Sequence, residues 1–97
     1  MKGETDLDFL FNKISGEVMR ENRKKKKYTM QQVATKLQTT RQAIFRYEKA
    51  EVRIKHSTFR KYCYAIDVNP SAVWEEISLK YMQYVALNKE KIMEEEV

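Results

Sequence analysis

The sequence predicts an all-α fold, a compact bundle of about five helices in which the first and last are extended. Three observations support this prediction. The 97 residues suffice for one domain with a modest core, and 42% of them are hydrophobic. Only two glycines and one proline are present, so few tight turns are available. Apolar residues recur at helical spacing along the chain, and capping residues separate the runs.

The first predicted helix covers residues 6–23, because apolar residues follow helical spacing there: Leu7, Leu10, Phe11, Ile14 and Val18. The four lysines at 24–27 are expected to end this helix, with their cations at its negative end. They form either a solvated turn or a set of phosphate contacts. Thr29 is the predicted N-cap of the second helix, and Gln32 is its capping-box partner.

Three further helices follow from the same signals. Thr40 is the predicted N-cap of a third, short helix. Ser57 or Thr58 is expected to cap a fourth helix. Pro70 is expected to begin a fifth helix, which continues to about Met93.

The positive charge is concentrated in the middle of the chain. Residues 20–61 contain 14 lysines and arginines but only three acids, which gives a net charge of +11 there and −6 elsewhere. A basic middle between acidic ends favours a surface that binds a polyanion. Solvated helix faces with chance clustering are the alternative interpretation.

Composition also excludes several classes of protein. No apolar stretch approaches the ~18 residues that span a bilayer, and no signal-peptide pattern opens the sequence. The single cysteine excludes an internal disulfide and a cysteine-based zinc site. We therefore expect a soluble, cytoplasmic protein that needs no cofactor and does not contact a membrane.

The second and third predicted helices satisfy the requirements of a helix-turn-helix at residues 30–49. Two short helices are joined by a turn of three or four residues inside the basic region. Ala34 is the small residue that lets the second helix of the motif cross the first closely. Leu37, Ile44 and Tyr47 are the apolar residues that fix the crossing.

These residues resemble the phage repressor and Cro family, also called XRE-type regulators. The family pattern is Ser-Gln-x-x-Leu-Ala, a turn, then Ser-Arg-x-x-Ile-x-x-x-Glu. Its first part matches Tyr28-Thr29-Met30-Gln31-Gln32-Val33-Ala34, and its second part matches Thr40-Arg41-Gln42-Ala43-Ile44 and Glu48. The resemblance covers residues 16–74. It implies a sequence-specific regulator of transcription, a repressor, that reads double-stranded DNA with a recognition helix at residues 40–49. Three positions depart from the pattern: Gln38 and Ala50 stand where glycine is usual, and Met30 stands where glutamine is usual.

The resemblance also implies the site residues. The candidates for contacts to base edges lie on the outer face of the recognition helix: Arg41, Gln42, Phe45 and Arg46. The candidates for contacts to phosphates are Thr29, Gln31, Thr40 and Lys49. Arg23 and Glu48 match positions that form a structural ion pair in the family. A solvated helix face is the alternative for the three polar base-contact candidates, and Phe45 contacts either a thymine methyl group or a protein.

Beyond the DNA-binding domain, placed at residues 1–76, the extension at 77–97 carries an apolar stripe. The stripe repeats at spacings of four and three through Trp74, Ser78, Tyr81, Val85, Asn88 and Ile92. We expect a homodimer through Tyr81, Val85 and Asn88, on a pseudo-palindromic operator whose half-sites lie about 34 Å apart. The alternative is that the stripe folds back onto Phe9, Leu10 and Phe11.

Two other functions compete with the regulator. One is a protein-binding module on the same fold, such as an antitoxin or a mobile-element inhibitor, which Met30, Phe45 and the tyrosines of the tail favour. The other is an enzyme, which we do not expect because no nucleophile–base pair or phosphate-binding glycine loop is present. His56 stands alone and is not expected to be a ligand. Cys63 and Trp74 are expected in the core.

Overall fold

The computed structural model describes residues 6–89, and all regular secondary structure in that part of the chain is helical. The five helices, in chain order, are α1 (Asp6–Lys25), α2 (Met30–Leu37), α3 (Arg41–Glu48), α4 (His56–Ala65) and α5 (Pro70–Leu87). The first and last are the long ones, at 20 and 18 residues. The predicted all-α bundle is therefore confirmed.

The predicted helix starts are confirmed at three of the five helices. Thr29 caps α2 through a complete capping box, in which its hydroxyl accepts from Gln32 N at 3.0 Å and its own N–H donates to Gln32 Oε1 at 2.8 Å. The Thr40 hydroxyl accepts from Ala43 N at 3.1 Å and caps α3. Pro70 occupies the first turn of α5, where its missing N–H costs nothing.

The prediction for the start of α4 is wrong. Lys55, not Ser57 or Thr58, is the N-cap residue, and its side chain makes no capping hydrogen bond. The Phe59 N–H bonds to the Lys55 carbonyl at 2.9 Å, and the Phe59 side chain is buried. Burial of this ring fixes the first turn, so tertiary packing outweighs the capping preference.

The two long helices also differ from prediction at their ends. α1 ends at Lys25, two residues beyond the predicted end, and the cations of Lys24 and Lys25 lie in its last turn, as expected of residues that end the helix. α5 ends at Leu87 with Asn88 as its C-cap. The predicted continuation to Met93 lies in residues 90–97, outside the described part of the chain.

The core lies where α1 packs on α5 and α3, where α2 packs on α3 and α4, and where α4 packs on α5. Its completely or almost completely buried members come from all five helices: Val18, Met19, Val33, Ala34, Ile44, Tyr62, Cys63, Ile66, Val73 and Ile77. Cys63 is a core residue, as predicted. Trp74 is not, because 45% of its surface is exposed. Its ring lies at the edge of the core, with its centre 5.4 Å from that of Phe11 and 6.0 Å from that of Phe59.

Each of the first four helices ends near a residue with a left-handed backbone, and none of these residues is glycine. They are Lys27, Gln38, Ala50 and Asp67, with φ between 57° and 65°. A residue with a Cβ costs roughly 1–2 kcal/mol in this conformation, less for aspartate. Gln38 and Ala50, which stand where the family usually has glycine, are two of the four.

Candidate nucleic-acid interface

α2 and α3 form a helix-turn-helix around a small, fully buried contact. Ala34 in α2 and Ile44 in α3 have no exposed surface. The turn between them is closed by the Thr39 N–H, which donates to Ala34 O at 2.9 Å, and by the Gln38 N–H, which donates to Thr35 O at 3.1 Å. These bonds use carbonyls left free at the end of α2 and fix the direction in which α3 leaves.

The outer face of α3 presents the side chains expected to meet base edges. Arg41, Gln42 and Arg46 are exposed, whereas Phe45 is half-buried. The Lys49 ammonium lies 5.8 Å from the centre of the Phe45 ring, within the range of a cation–π contact. The long polar side chains of α3 are therefore free to reach outward from a helix whose other face is buried.

The four residues expected to bind phosphates lie at the start of α2 and at both ends of α3. Thr29 and Thr40 are caps, and the Gln31 side chain donates to Thr35 Oγ1 at 3.3 Å. A capping hydroxyl uses its lone pair on the backbone N–H and keeps its own hydrogen for another acceptor. Capping and phosphate binding by Thr29 and Thr40 are therefore compatible.

The predicted ion pair between Arg23 and Glu48 is present and buried. Arg23 donates from Nε to Glu48 Oε2 at 2.7 Å and from Nη2 to Glu48 Oε1 at 3.0 Å. Only 6% of Arg23 and 3% of Glu48 is exposed. The bonds to Glu48 raise the pKa of the arginine, so its guanidinium stays charged. This bidentate contact anchors the last residue of α3 to α1.

Tyr62 is a third member of this buried group. Its hydroxyl donates to Glu48 Oε2 at 2.5 Å and lies 3.2 Å from Met19 O. Burial, followed by the nearby negative charge of Glu48, raises the pKa of Tyr62 well above its ordinary value. The Glu48 carboxylate is thereby held from α1 and from α4 together.

Gly16 is a packing position beside the end of α3 that was not predicted from the sequence. A Cβ at this residue would lie 2.4 Å from the Glu48 carbonyl oxygen and 3.0 Å from that of Tyr47. α1 therefore approaches the end of α3 more closely than any larger residue allows. The available signal was a glycine inside a predicted helix, where it costs about 1 kcal/mol relative to alanine unless packing requires it.

A second polar cluster joins the α1–α2 connection to the end of α4. Lys36 donates to Ala65 O at 2.9 Å, and its ammonium lies 4.5 Å from the centre of the Tyr28 ring. The Tyr28 hydroxyl donates to Asp67 Oδ2. This lysine satisfies a carbonyl at a helix C-terminus, where a cation is favourable.

A family model described as Helix-turn-helix matches residues 19–73, which is more than half of the chain. The chain belongs to the XRE-type helix-turn-helix family. The matched segment contains the complete motif, the buried group of Arg23, Glu48 and Tyr62, and the start of α5. The family consists of DNA-binding regulators and is not an enzyme family. No curated protein and no solved structure matches the chain.

Most of α1 and α5 lies outside the segment shared with the family. There, the Tyr81 ring packs edge-to-face on Phe11, with ring centres 5.2 Å apart, and Trp74 packs on the same phenylalanine. At these two positions the stripe of α5 folds back onto α1. Val85 and Asn88 are half-buried, while Leu87 is 84% exposed.

No helix within residues 6–89 is long and apolar enough to cross a membrane. The same residues contain no group of three or more His, Cys, Asp or Glu side chains that could hold a metal ion. His56 lies beside the rings of Phe59 and Trp74. Burial raises the pKa of the Cys63 thiol to about 12, which leaves it unreactive at neutral pH.

Proposed function

We propose that this protein is a sequence-specific repressor of transcription that reads the major groove of double-stranded DNA with α3. The observation that carries the proposal is the contrast between the two faces of this helix. Ile44 and Glu48 are buried and anchor the inner face. The outer face offers exposed arginine and glutamine side chains to solvent.

The proposed base contacts follow from the chemistry of these side chains. Arg41 can bond bidentately to O6 and N7 of guanine, and Gln42 to N6 and N7 of adenine. Both residues open α3, the end of a recognition helix that meets base edges. Arg46 lies farther along the helix and reads a base or a phosphate. The exposed part of Phe45 contacts a thymine methyl group.

The proposed phosphate contacts surround these residues. Thr29 and Gln31 begin α2, Thr40 precedes α3, and Lys49 follows it. The first N–H groups of a helix carry partial positive charge and donate readily to phosphate oxygens. Such contacts fix the position of the protein on the duplex without reading sequence.

We further propose a homodimer formed through the second half of α5. Met82 is 61% exposed and lies one turn from the predicted contact residue Val85, while Val85 and Asn88 are themselves half-buried. Tyr81 borders this surface while its ring packs on Phe11. A two-fold dimer reads a pseudo-palindromic operator. The same apolar surface fits the alternative, a module that binds another protein.

Selection of bound duplexes from a random pool, followed by affinity measurements on the selected sequence, tests the function. Arg41→Ala is expected to relax base preference at one position, by about 1–3 kcal/mol of discrimination. Lys49→Ala is the matched control, since loss of a phosphate contact weakens all sequences alike. An unchanged preference in Arg41→Ala would show that α3 is not docked as proposed. Stoichiometric recovery of a protein partner without a selected DNA sequence would support the protein-binding module instead.

A further inference from the structure

We infer that the four lysines at 24–27 form a second DNA-contact surface, which binds the phosphate backbone beside the site at α2. This inference rests on the proposed function. All four side chains are exposed. In the part of the chain that the structure describes, none of the four ammonium groups has an ion-pair partner. A run of like charges repels itself, so a polyanion that spans the run would stabilise it.

The lysine run closes α1 in a defined turn: Lys24 and Lys25 end the helix, and Lys26 and Lys27 form the turn. The Lys27 N–H donates to Lys24 O at 2.9 Å, and the Tyr28 N–H donates to Arg23 O at 3.1 Å. These are the two bonds of a Schellman motif, which closes the C-terminus of a helix. The side chains therefore project from a defined backbone at the junction of α1 and α2.

The guanidinium group of Arg23 connects this turn to the recognition helix α3. Arg23 donates from Nη1 to Tyr28 O at 2.9 Å, at one end of the turn, and bonds Glu48 of α3 with its other nitrogens. When α3 occupies the major groove, the position of the lysines is fixed as well. Because the lysines hold a fixed position relative to α3, they can bind the DNA phosphate backbone while α3 lies in the groove.

Lys27 occupies a position at which lysine is unfavourable for the fold. Its φ is 65°, at the place in a Schellman motif where glycine is strongly preferred. Gln38 and Ala50 adopt the same conformation after α2 and α3, so the strain reflects how these helices end and does not by itself assign a role to the lysine. Glycine fits this backbone better than lysine, so Lys27→Gly removes the ammonium group without a cost to the fold.

The nearest partner for this cation is a phosphate next to the one bound by α2. Thr29, the N-cap of α2, follows Lys27 by two residues, and two residues span at most about 7 Å. Charges along one DNA strand recur every ~3.4 Å of helix axis, so a neighbouring phosphate lies within reach of an extended lysine. We therefore expect the footprint of the protein to extend past the bases read by α3, on the side of α2.

Lys27→Gly separates folding from binding, because it relieves strain and removes a charge. Its thermal midpoint is expected to rise. Its affinity for the selected duplex at 0.15 M salt is expected to fall about fivefold, and the slope of log affinity against log salt to become shallower by about 0.9. Gln38→Gly relieves the same kind of strain without a change of charge, and should raise the midpoint with unchanged affinity. Lys13→Gln removes a charge from the other half of α1 and should change neither.

Duplexes shortened from each end provide the second measurement. The wild-type protein is expected to lose affinity when the flank beside α2 is removed, and Lys27→Gly to lose less. Unchanged affinity and salt slope in Lys27→Gly, with normal binding by the wild-type protein, would overturn the lysine surface alone. Absence of salt-dependent duplex binding by the wild-type protein would overturn the proposed function, and the lysine surface with it.

Discussion

Substitution of Arg23 by methionine tests how α3 is held in place. The change removes three hydrogen bonds, two to the Glu48 carboxylate and one to Tyr28 O, and leaves a carboxylate that is 3% exposed. Removal of one partner from a buried ion pair costs about 3–5 kcal/mol, mainly because the remaining charge stays desolvated. Tyr62 still donates to Glu48, so we expect a loss near the lower end, about 3 kcal/mol.

Urea unfolding followed by circular dichroism measures this loss, since the free energy of unfolding extrapolates linearly to zero denaturant. A domain of this size has about 5–15 kcal/mol of stability, so the variant is expected to fold but with a lower midpoint. The double variant Arg23→Met/Glu48→Leu removes both charges and should recover most of the loss. A single-variant loss below about 1 kcal/mol, typical of a solvent-exposed pair, would refute the reasoning. So would a double variant as unstable as the single one.

Three further outcomes are expected. Gly16→Ala should destabilise the fold by about 1–3 kcal/mol in urea unfolding and weaken DNA binding, because the added Cβ displaces the end of α3. Unchanged affinity for DNA would show that α3 tolerates the shift. Burial raises the pKa of both Tyr62 and Cys63, so the unfolded chain loses these protons first. The free energy of unfolding should then be unaffected by these groups below about pH 9. It should fall by about 1.4 kcal/mol per pH unit above pH 9, where Cys63 ionises in the unfolded chain, and about twice as steeply above pH 10, where Tyr62 does too; Tyr62→Phe should lack the second component. Met82→Asp should dissociate the dimer in sedimentation equilibrium without unfolding the monomer, and an unchanged mass would exclude this surface.

The features that could be predicted from the sequence are those encoded over a few neighbouring residues. The capping box at Thr29 and Gln32 and the cap at Thr40 depend on local spacing, and both are present. The ion pair between Arg23 and Glu48 joins residues far apart in the chain. It was predicted only because the family resemblance places both residues.

The features that were missed depend on contacts that no local pattern encodes. The role of Gly16 requires knowledge of how closely α1 approaches α3. Lys36 looked like one more cation of the basic region, but it bonds the carbonyl of Ala65 at the end of α4. The start of α4 depends on the burial of Phe59 rather than on the nearest capping residue.

The Arg23 guanidinium links the proposed parts of the DNA-binding surface mechanically. It bonds the last residue of α3 through Glu48 and the residue that precedes the cap of α2 through Tyr28 O. Tyr62 connects the same carboxylate to α4. Because buried charged groups tolerate little displacement without a large loss of free energy, these connections hold their relative positions. A substitution at Tyr62, which is buried and makes no proposed DNA contact of its own, should therefore alter base discrimination by α3 as well as stability.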